Sequence, residues 1–317
     1  MPRNLQPAVH PLGNVLVYDD SGRLLGGRLL LRAQNRYITW RMFYRYCRIA
    51  FILPPDDQQW GIFKLTNDGS TARSLRRQDH ILQPGNYMIL GPNQDPIQVE
   101  PTPGRVPRRV ITNQGSSKAS TKRDRLQTRF REGIRNRDQT CVITGDRFGS
   151  YDNPFSGLAA CHIYPAARLQ EWQQNGYRSW ITDTTSSAQI GYSKLYSLQN
   201  GVLLSSSIHD DFDNFIIGID PDDGYKIVCF GFDTRGYGNR RIQRSAIECA
   251  NPNHRVSPDV LRWHFKMCVL KNLRVHAGTP QWDHDLGQDD MGEVLAQEDA
   301  GERMEAELFT RLGHLIA

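Results

Sequence analysis

The chain has 317 residues, 38% of them hydrophobic, and 39 Lys or Arg against 34 Asp or Glu for a formal charge of +5. That length predicts about two domains, and the modest apolar share predicts that part of it is linker or tail. No run approaches the ~20 apolar residues of a membrane span, and Met1-Pro2-Arg3-Asn4 leads into no apolar segment, so the expected setting is intracellular, cytoplasm or nucleus, with no membrane.

From residue 12 to 100 the chain reads as β-rich. Val15-Leu16-Val17-Tyr18, the turn formers Asp19-Asp20-Ser21-Gly22 and the run Leu29-Leu30-Leu31 predict a hairpin. Further strands are expected at Ile49–Leu53, Trp60–Leu65 and Tyr87–Leu90, with a short helix near Thr39–Tyr46. A basic, flexible linker is expected over 105–121, which includes Gly115-Ser116-Ser117. The same region opens a charged stretch: residues 105–138 hold eleven Lys or Arg against three acids, a balance suited to a polyanion such as nucleic acid or to a solvated linker.

Leu126, Phe130 and Ile134 recur four apart and predict a helix ending near Asp138, with Arg125, Arg129, Arg131, Arg135 and Arg137 on its remaining surface. Ser257-Pro258 predicts the start of another helix, through Leu261, Phe265, Cys268 and Val269. Residues 281–317 hold ten acids against two arginines, and Met304, Leu308 and Leu312 predict an amphipathic helix over 300–315. The six cysteines are scattered with no C-x-x-C pair, which predicts reduced thiols rather than a disulfide framework or a paired-knuckle zinc site.

Three central segments carry chemistry together. Leu158-Ala159-Ala160-Cys161-His162 reads as a strand delivering His162 at its exit, closed by Pro165. Asn200-Gly201 is a turn signal followed by the apolar Val202-Leu203-Leu204. Ser205-Ser206-Ser207 offers an N-cap to a helix through His209 and Asp213, an i, i+4 pair on one face, with acids placed in its first turn. Strand, strand and helix carrying His, Asn and His in that order suit metal-assisted phosphodiester hydrolysis. An imidazole is the natural general base near neutral pH, and a divalent ion neutralises the charge developing on phosphate. His162 takes the base role and His209 the metal. Asn200 either ties the loop or orients His162.

These segments resemble the HNH endonuclease family, in particular fungal HNH-domain proteins. The matching residues run from Cys141-Val142-Ile143-Thr144-Gly145 through His162-Ile163 and Pro165 to Asn200-Gly201, His209 and Phe212-Asp213. The resemblance implies an α+β fold with a central ββα-metal domain over 122–235, a β-rich N-terminal domain over 1–104 and a helical, acidic segment over 236–317. It also implies a nuclease using Mg, Mn or Zn on nucleic acid.

Two departures stand out. Where active HNH nucleases often place an Asp or His before the first histidine, this chain has Cys161, either a ligand for a softer ion or an inert buried thiol. Asp213 is either a further ligand or a cap or ion-pair partner. The second departure is the 38-residue separation of His162 from Asn200. The insert carries Arg168, Trp172, Tyr177, Arg178, Trp180 and Lys194, which with Arg129 could clamp nucleic acid, line a small-molecule pocket, or cover the core. Two alternatives to a nuclease follow: an enzyme of secondary metabolism acting on a small molecule with the same fold, and an inactive nucleic-acid-binding module. The oligomeric state is not encoded in any of these signals.

Overall fold

The computed structural model describes Leu5 and residues 13–274, apart from 33–35, 67–69, 76, 105, 108–120 and 148. The acidic 281–317 stretch, the expected helix over 300–315 and most of the expected 105–121 linker lie outside the described residues. Strands β1 (Val15–Tyr18) and β2 (Leu24–Leu29) pair antiparallel. Asp19 makes the turn between them, its buried carboxylate accepting from the amides of Ser21 and Arg23 at 3.1 and 2.9 Å.

Helix α1 (Trp40–Ala50) follows, its first turn capped by the Thr39 hydroxyl, which accepts from the Met42 amide at 3.3 Å. The helix is one turn longer than its sequence suggests. The apolar run expected as a strand over Ile49–Leu53 is therefore split: Ile49 and Ala50 close α1, and only β3 (Phe51–Ile52) is extended. An apolar run cannot by itself separate a buried helix end from a strand.

β4 (Gly61–Leu65), β5 (Thr71–Ser74) and β6 (Gly85–Leu90) complete a five-stranded sheet in the order β2-β1-β6-β4-β5, with β1 parallel to β6. Alternation along the strands sends Val15, Val17, Ile62, Tyr87 and Ile89 into the main core. Tyr18, Phe63, Leu65, Met88 and Leu90 form a smaller cluster on the other face. β7 (Glu100–Pro101) pairs with β3.

Helix α2 (Thr121–Asp138) buries Leu126, Phe130 and Ile134, as their spacing predicts. Next come β8 (Leu158–His162), α3 (Leu169–Gln174), α4 (Ser187–Ile190), β9 (Gly201–Ser205), α5 (Ser206–Asp213) and the hairpin β10 (Ile217–Asp220) and β11 (Lys226–Cys229). The last described helix, α6 (Pro258–Leu273), starts at Ser257, whose hydroxyl accepts from the Val260 amide, with Pro258 in the first turn. Most of its surface is buried, through Leu261, Trp263, His264, Phe265, Cys268 and Leu270, where β10, α1 and β2 pack against it, and a stripe through Asp259, Arg262 and Lys266 stays exposed.

The described residues fall within one compact unit, and its core joins the N-terminal sheet to α6. Tyr46 of α1 meets Phe230 and Phe265 with centroids 5.7 and 5.9 Å apart, and Arg45 pairs with the buried Asp220 of β10 at 2.9 Å. Among the described residues no helix is long and apolar enough to cross a membrane.

Candidate metal and active site

β8 and β9 pair antiparallel with His162 opposite Gly201 and Cys161 opposite Val202. Asn200-Gly201 does not form the tight hairpin turn that its dipeptide signals. The strands are joined by the long insert, and Asn200 closes a 3₁₀ turn, Leu198–Asn200, capped by Ser197. Gly201 is extended, and what it supplies is space: a Cβ there would lie 2.3 Å from Phe130 Cζ and 3.0 Å from Ile134 Cδ1.

The Asn200 side chain is fully buried and ties the backbone just beyond His162. Its Oδ1 accepts from the Tyr164 amide at 2.8 Å, and its Nδ2 donates to the carbonyls of Tyr164 and Leu195 at 3.1 and 3.0 Å. One residue thereby closes both ends of the insert onto the strand pair.

Alternation turns Cys161 and His162 to opposite faces of the hairpin. Cys161 looks towards α5, with Sγ 3.7 Å from Asp213 Oδ1. Along α5, His209 Nε2 lies 3.2 Å from Asp213 Oδ2, the i, i+4 contact expected on a helix face. Ligand atoms of Cys161, His209 and Asp213 all lie within 4.8 Å of one another. Cys161 is 2% exposed, whereas the side chains of His209 and Asp213 are 27% and 26% exposed, so the cluster is closed below and open above.

The donor set suits a borderline divalent cation. His209 Nε2 and Cys161 Sγ approach different oxygens of Asp213, at 3.2 and 3.7 Å. A small inward shift of side chains would bring one ligand atom from each residue to the roughly 3.3–3.8 Å separations found around one tetrahedral zinc. Thiol, imidazole and carboxylate together favour zinc-like ions over magnesium, which prefers oxygen throughout. The acids of α5 also sit elsewhere than expected. The helix begins at Ser206, so Asp210, Asp211 and Asp213 fall in its second half, where the dipole is unfavourable to them, and Ser205 makes no side-chain cap bond. Burial, with Asp210 alongside, raises the pKa of Asp211. Anions gathered at a helix C-terminus are an arrangement that a bound cation relieves.

His162 stands on the α2 side. Its ring stacks on Phe130, centroids 3.9 Å apart and 7° from parallel, and meets Tyr196 edge-on at 5.5 Å. Behind it lies a framework missed in the sequence. Arg137, expected on the solvated surface of α2, is buried with its side chain 2% exposed. It forks onto Asp138 with two bonds of 2.7 Å and donates to the carbonyls of Leu198, Gly201 and His254 at 2.8, 2.8 and 2.9 Å. Asp138 also accepts from the Leu203 amide at 2.9 Å. An arginine in an arginine-rich helix reads as solvated, and only the distant carbonyls reveal that it is core. Below α5, His264 stacks on Phe212 at 3.7 Å, and its Nε2 is 3.0 Å from the Phe212 carbonyl. Burial pushes its pKa down to about 4.

The remaining candidates mostly serve the insert itself. Trp172, offered as a stacking or pocket residue, is fully buried against Tyr164 and Tyr177 and has no face left for a ligand. Trp180 stacks on Tyr177 at 3.8 Å. Lys194 spends its ammonium on the carbonyls of Ile181 and Asp183 at 3.0 and 2.6 Å, and Arg168 pairs with Glu171 at 2.8 Å. Arg178 donates to the Tyr192 carbonyl at 3.0 Å, and the exposed Arg129 donates to the Ala188 carbonyl at 3.2 Å.

The strand–strand–helix order and its Cys-His…Asn…His-x-x-x-Asp residues point to one family. Residues 141–220 match the family model for HNH endonuclease. The HNH segment thus spans β8, the insert, β9, α5 and β10, and the match points to a nuclease-type activity on nucleic acid. No curated protein and no solved structure matches the chain.

Proposed function

We propose that the chain is a metal-dependent nuclease whose HNH segment hydrolyses phosphodiester bonds. The observation that carries this reading is the convergence of Cys161, His209 and Asp213 on the ββα element of a segment matching the HNH endonuclease family. These three residues would hold the ion, with Cys161 as thiolate, a donor set that favours zinc or another borderline metal. A divalent ion held there would supply positive charge to offset the charge that develops in phosphodiester cleavage. His162, at the exit of β8 but on its α2 side, would take the proton of the attacking water through an imidazole nitrogen as the water oxygen bonds to phosphorus. This requires the phosphate to lie across the strand end, between this ring and the metal ligands. The P–O bond opposite then breaks, and the departing oxygen takes its proton from solvent. Asn200 fixes the backbone from which His162 projects, and Phe130 fixes the plane of its ring.

Nicking of supercoiled plasmid, scanned over magnesium, manganese, zinc and no metal, tests the reading with His162→Ala alongside. Cleavage is expected to require metal and to fall by about 10²–10⁴-fold in the variant, with bound metal unchanged. A variant that cuts as well as wild type removes His162 from the chemistry. An enzyme acting on a small organic molecule is the second reading. It draws on a largely apolar cavity of about 500 Å³ between α2 and the insert.

A further inference from the structure

That cavity is lined by Leu126 of α2 and, from the insert, by Leu169, Gln173, Tyr192, Leu195 and Tyr196 among others. Three features set it apart from an ordinary surface depression. The first is its place. Tyr196 both lines the cavity and meets the His162 ring edge-on at 5.5 Å, so a single aromatic ring separates the cavity from the proposed base.

The second is its lip. Tyr192 is 78% exposed and Leu169 41%, although the insert buries other large side chains such as Trp172 completely. Tyr192 is held in this position from both sides. Gly191 before it adopts φ 74° and ψ 158°, a backbone region essentially restricted to glycine. Arg178 donates to the Tyr192 carbonyl and sets its guanidinium 5.2 Å from the ring centroid.

The third is charge. Arg125 and Arg129, one turn apart and both exposed, flank Leu126 on α2. With Arg178, whose guanidinium lies against Tyr192, they put three arginines on the elements that line the apolar slot. A largely aliphatic lining with the Tyr196 ring on the His162 side, an exposed aromatic lip and arginines on the same elements suit one nucleotide: the base inside, the phosphates outside.

We propose that this pocket receives an unpaired nucleobase next to the scissile phosphate, which makes single-stranded or locally unpaired nucleic acid the preferred substrate. In a duplex each base is stacked and paired and cannot enter such a slot without being extruded. The proposal rests on the nuclease reading for its mention of a scissile bond, but binding in the pocket can be measured without cleavage.

Anisotropy of fluorescein-labelled oligo(dT), alone and annealed to oligo(dA), is measured without metal on the full chain. Wild type, Tyr192→Ala and, as an exposed aromatic elsewhere, Tyr151→Ala are compared. Oligo(dT) is expected to bind about tenfold or more tighter than the duplex. Tyr192→Ala is expected to lower oligo(dT) affinity about tenfold while leaving the duplex unchanged. Tyr151→Ala, fully exposed in the wild type, is expected to alter neither. Equal affinity for both probes, no binding of either, or indifference to Tyr192→Ala overturns the pocket. A Tyr192-dependent preference for oligo(dT) with no cleavage under any metal keeps the pocket and overturns the nuclease. Cleavage lost in His162→Ala but indifferent to strandedness and to Tyr192 does the reverse.

Discussion

Two helices cover the β8–β9 hairpin, and they treat polar side chains in opposite ways. On the α2 face, Arg137 and Asp138 are buried with every bond directed at a fixed backbone or at each other. On the α5 face, His209 and Asp213 remain about one quarter exposed, and Cys161 beneath them turns its thiol towards Asp213. The first face spends its hydrogen-bonding capacity on holding β9 and the end of the insert. The second keeps donor atoms together and within reach of solvent. Burial with complete pairing marks framework, whereas convergence at an opening marks a site for chemistry.

Stability measured without metal separates the two faces most sharply. Arg137→Met leaves the Asp138 carboxylate buried without its cation and removes a donor from each of three backbone carbonyls, and it is expected to cost about 3–5 kcal/mol. His209→Ala, on a partly exposed helix position, is expected to cost less than about 1 kcal/mol while abolishing tight metal binding. Urea unfolding in the presence of a chelator, with metal titration of the same samples, checks both. Equal destabilisation by the two substitutions would erase the distinction between framework and site.

A smaller effect tests the support beneath α5. His264 is neutral in the fold, its pKa pushed down to about 4 by burial, against an ordinary value of 6.5. Between those values the unfolded chain binds a proton that the folded chain refuses, so stability falls as pH drops from about 6.5 to about 4. At roughly 1.4 kcal/mol per tenfold change in proton affinity, this group removes on the order of 3 kcal/mol over that window. Above pH 6.5 it contributes no pH dependence. His264→Gln is expected to flatten this part of the profile, as read from urea midpoints at a series of pH values. An unchanged slope would mean that His264 is protonated, or reaches solvent, in the folded protein.

The elements that depend on local spacing were the legible ones. The apolar face of α2, the Ser257-Pro258 start of α6 and the strand–strand–helix order with His, Asn and His can all be read from the chain. Features that depend on distant partners were not. The burial of Arg137 needs carbonyls from Leu198, Gly201 and His254, and nothing near residue 137 announces them. The burial of Trp172 needs Tyr164, whose position follows from Asn200. The parallel pairing of β1 with β6 spans a long crossover, which strand propensity does not encode. The start of α5 is ambiguous in the chain, because three successive serines, Ser205, Ser206 and Ser207, offer three possible caps, and the pairing of Leu158 with Ser205 at the end of β9 chooses among them.

That choice of helix start supplies the finest test of the comparison. Ser257 and Ser205 both precede helices packed near the site, but they do different work. The Ser257 hydroxyl accepts from the Val260 amide at 3.4 Å and donates to the Trp180 carbonyl at 2.8 Å, tying the start of α6 to the insert. Ser205 makes no side-chain bond to the first turn of α5. Ser257→Ala is therefore expected to cost about 1 kcal/mol, the usual value of a lost cap, and Ser205→Ala only a few tenths. Thermal or urea unfolding of the two variants resolves the difference. The ordering matters more than either value. A costlier loss at Ser205 would mean that its hydroxyl holds the first turn of α5 after all, and α5 would then be anchored as framework rather than left free to adjust His209 and Asp213 around an ion.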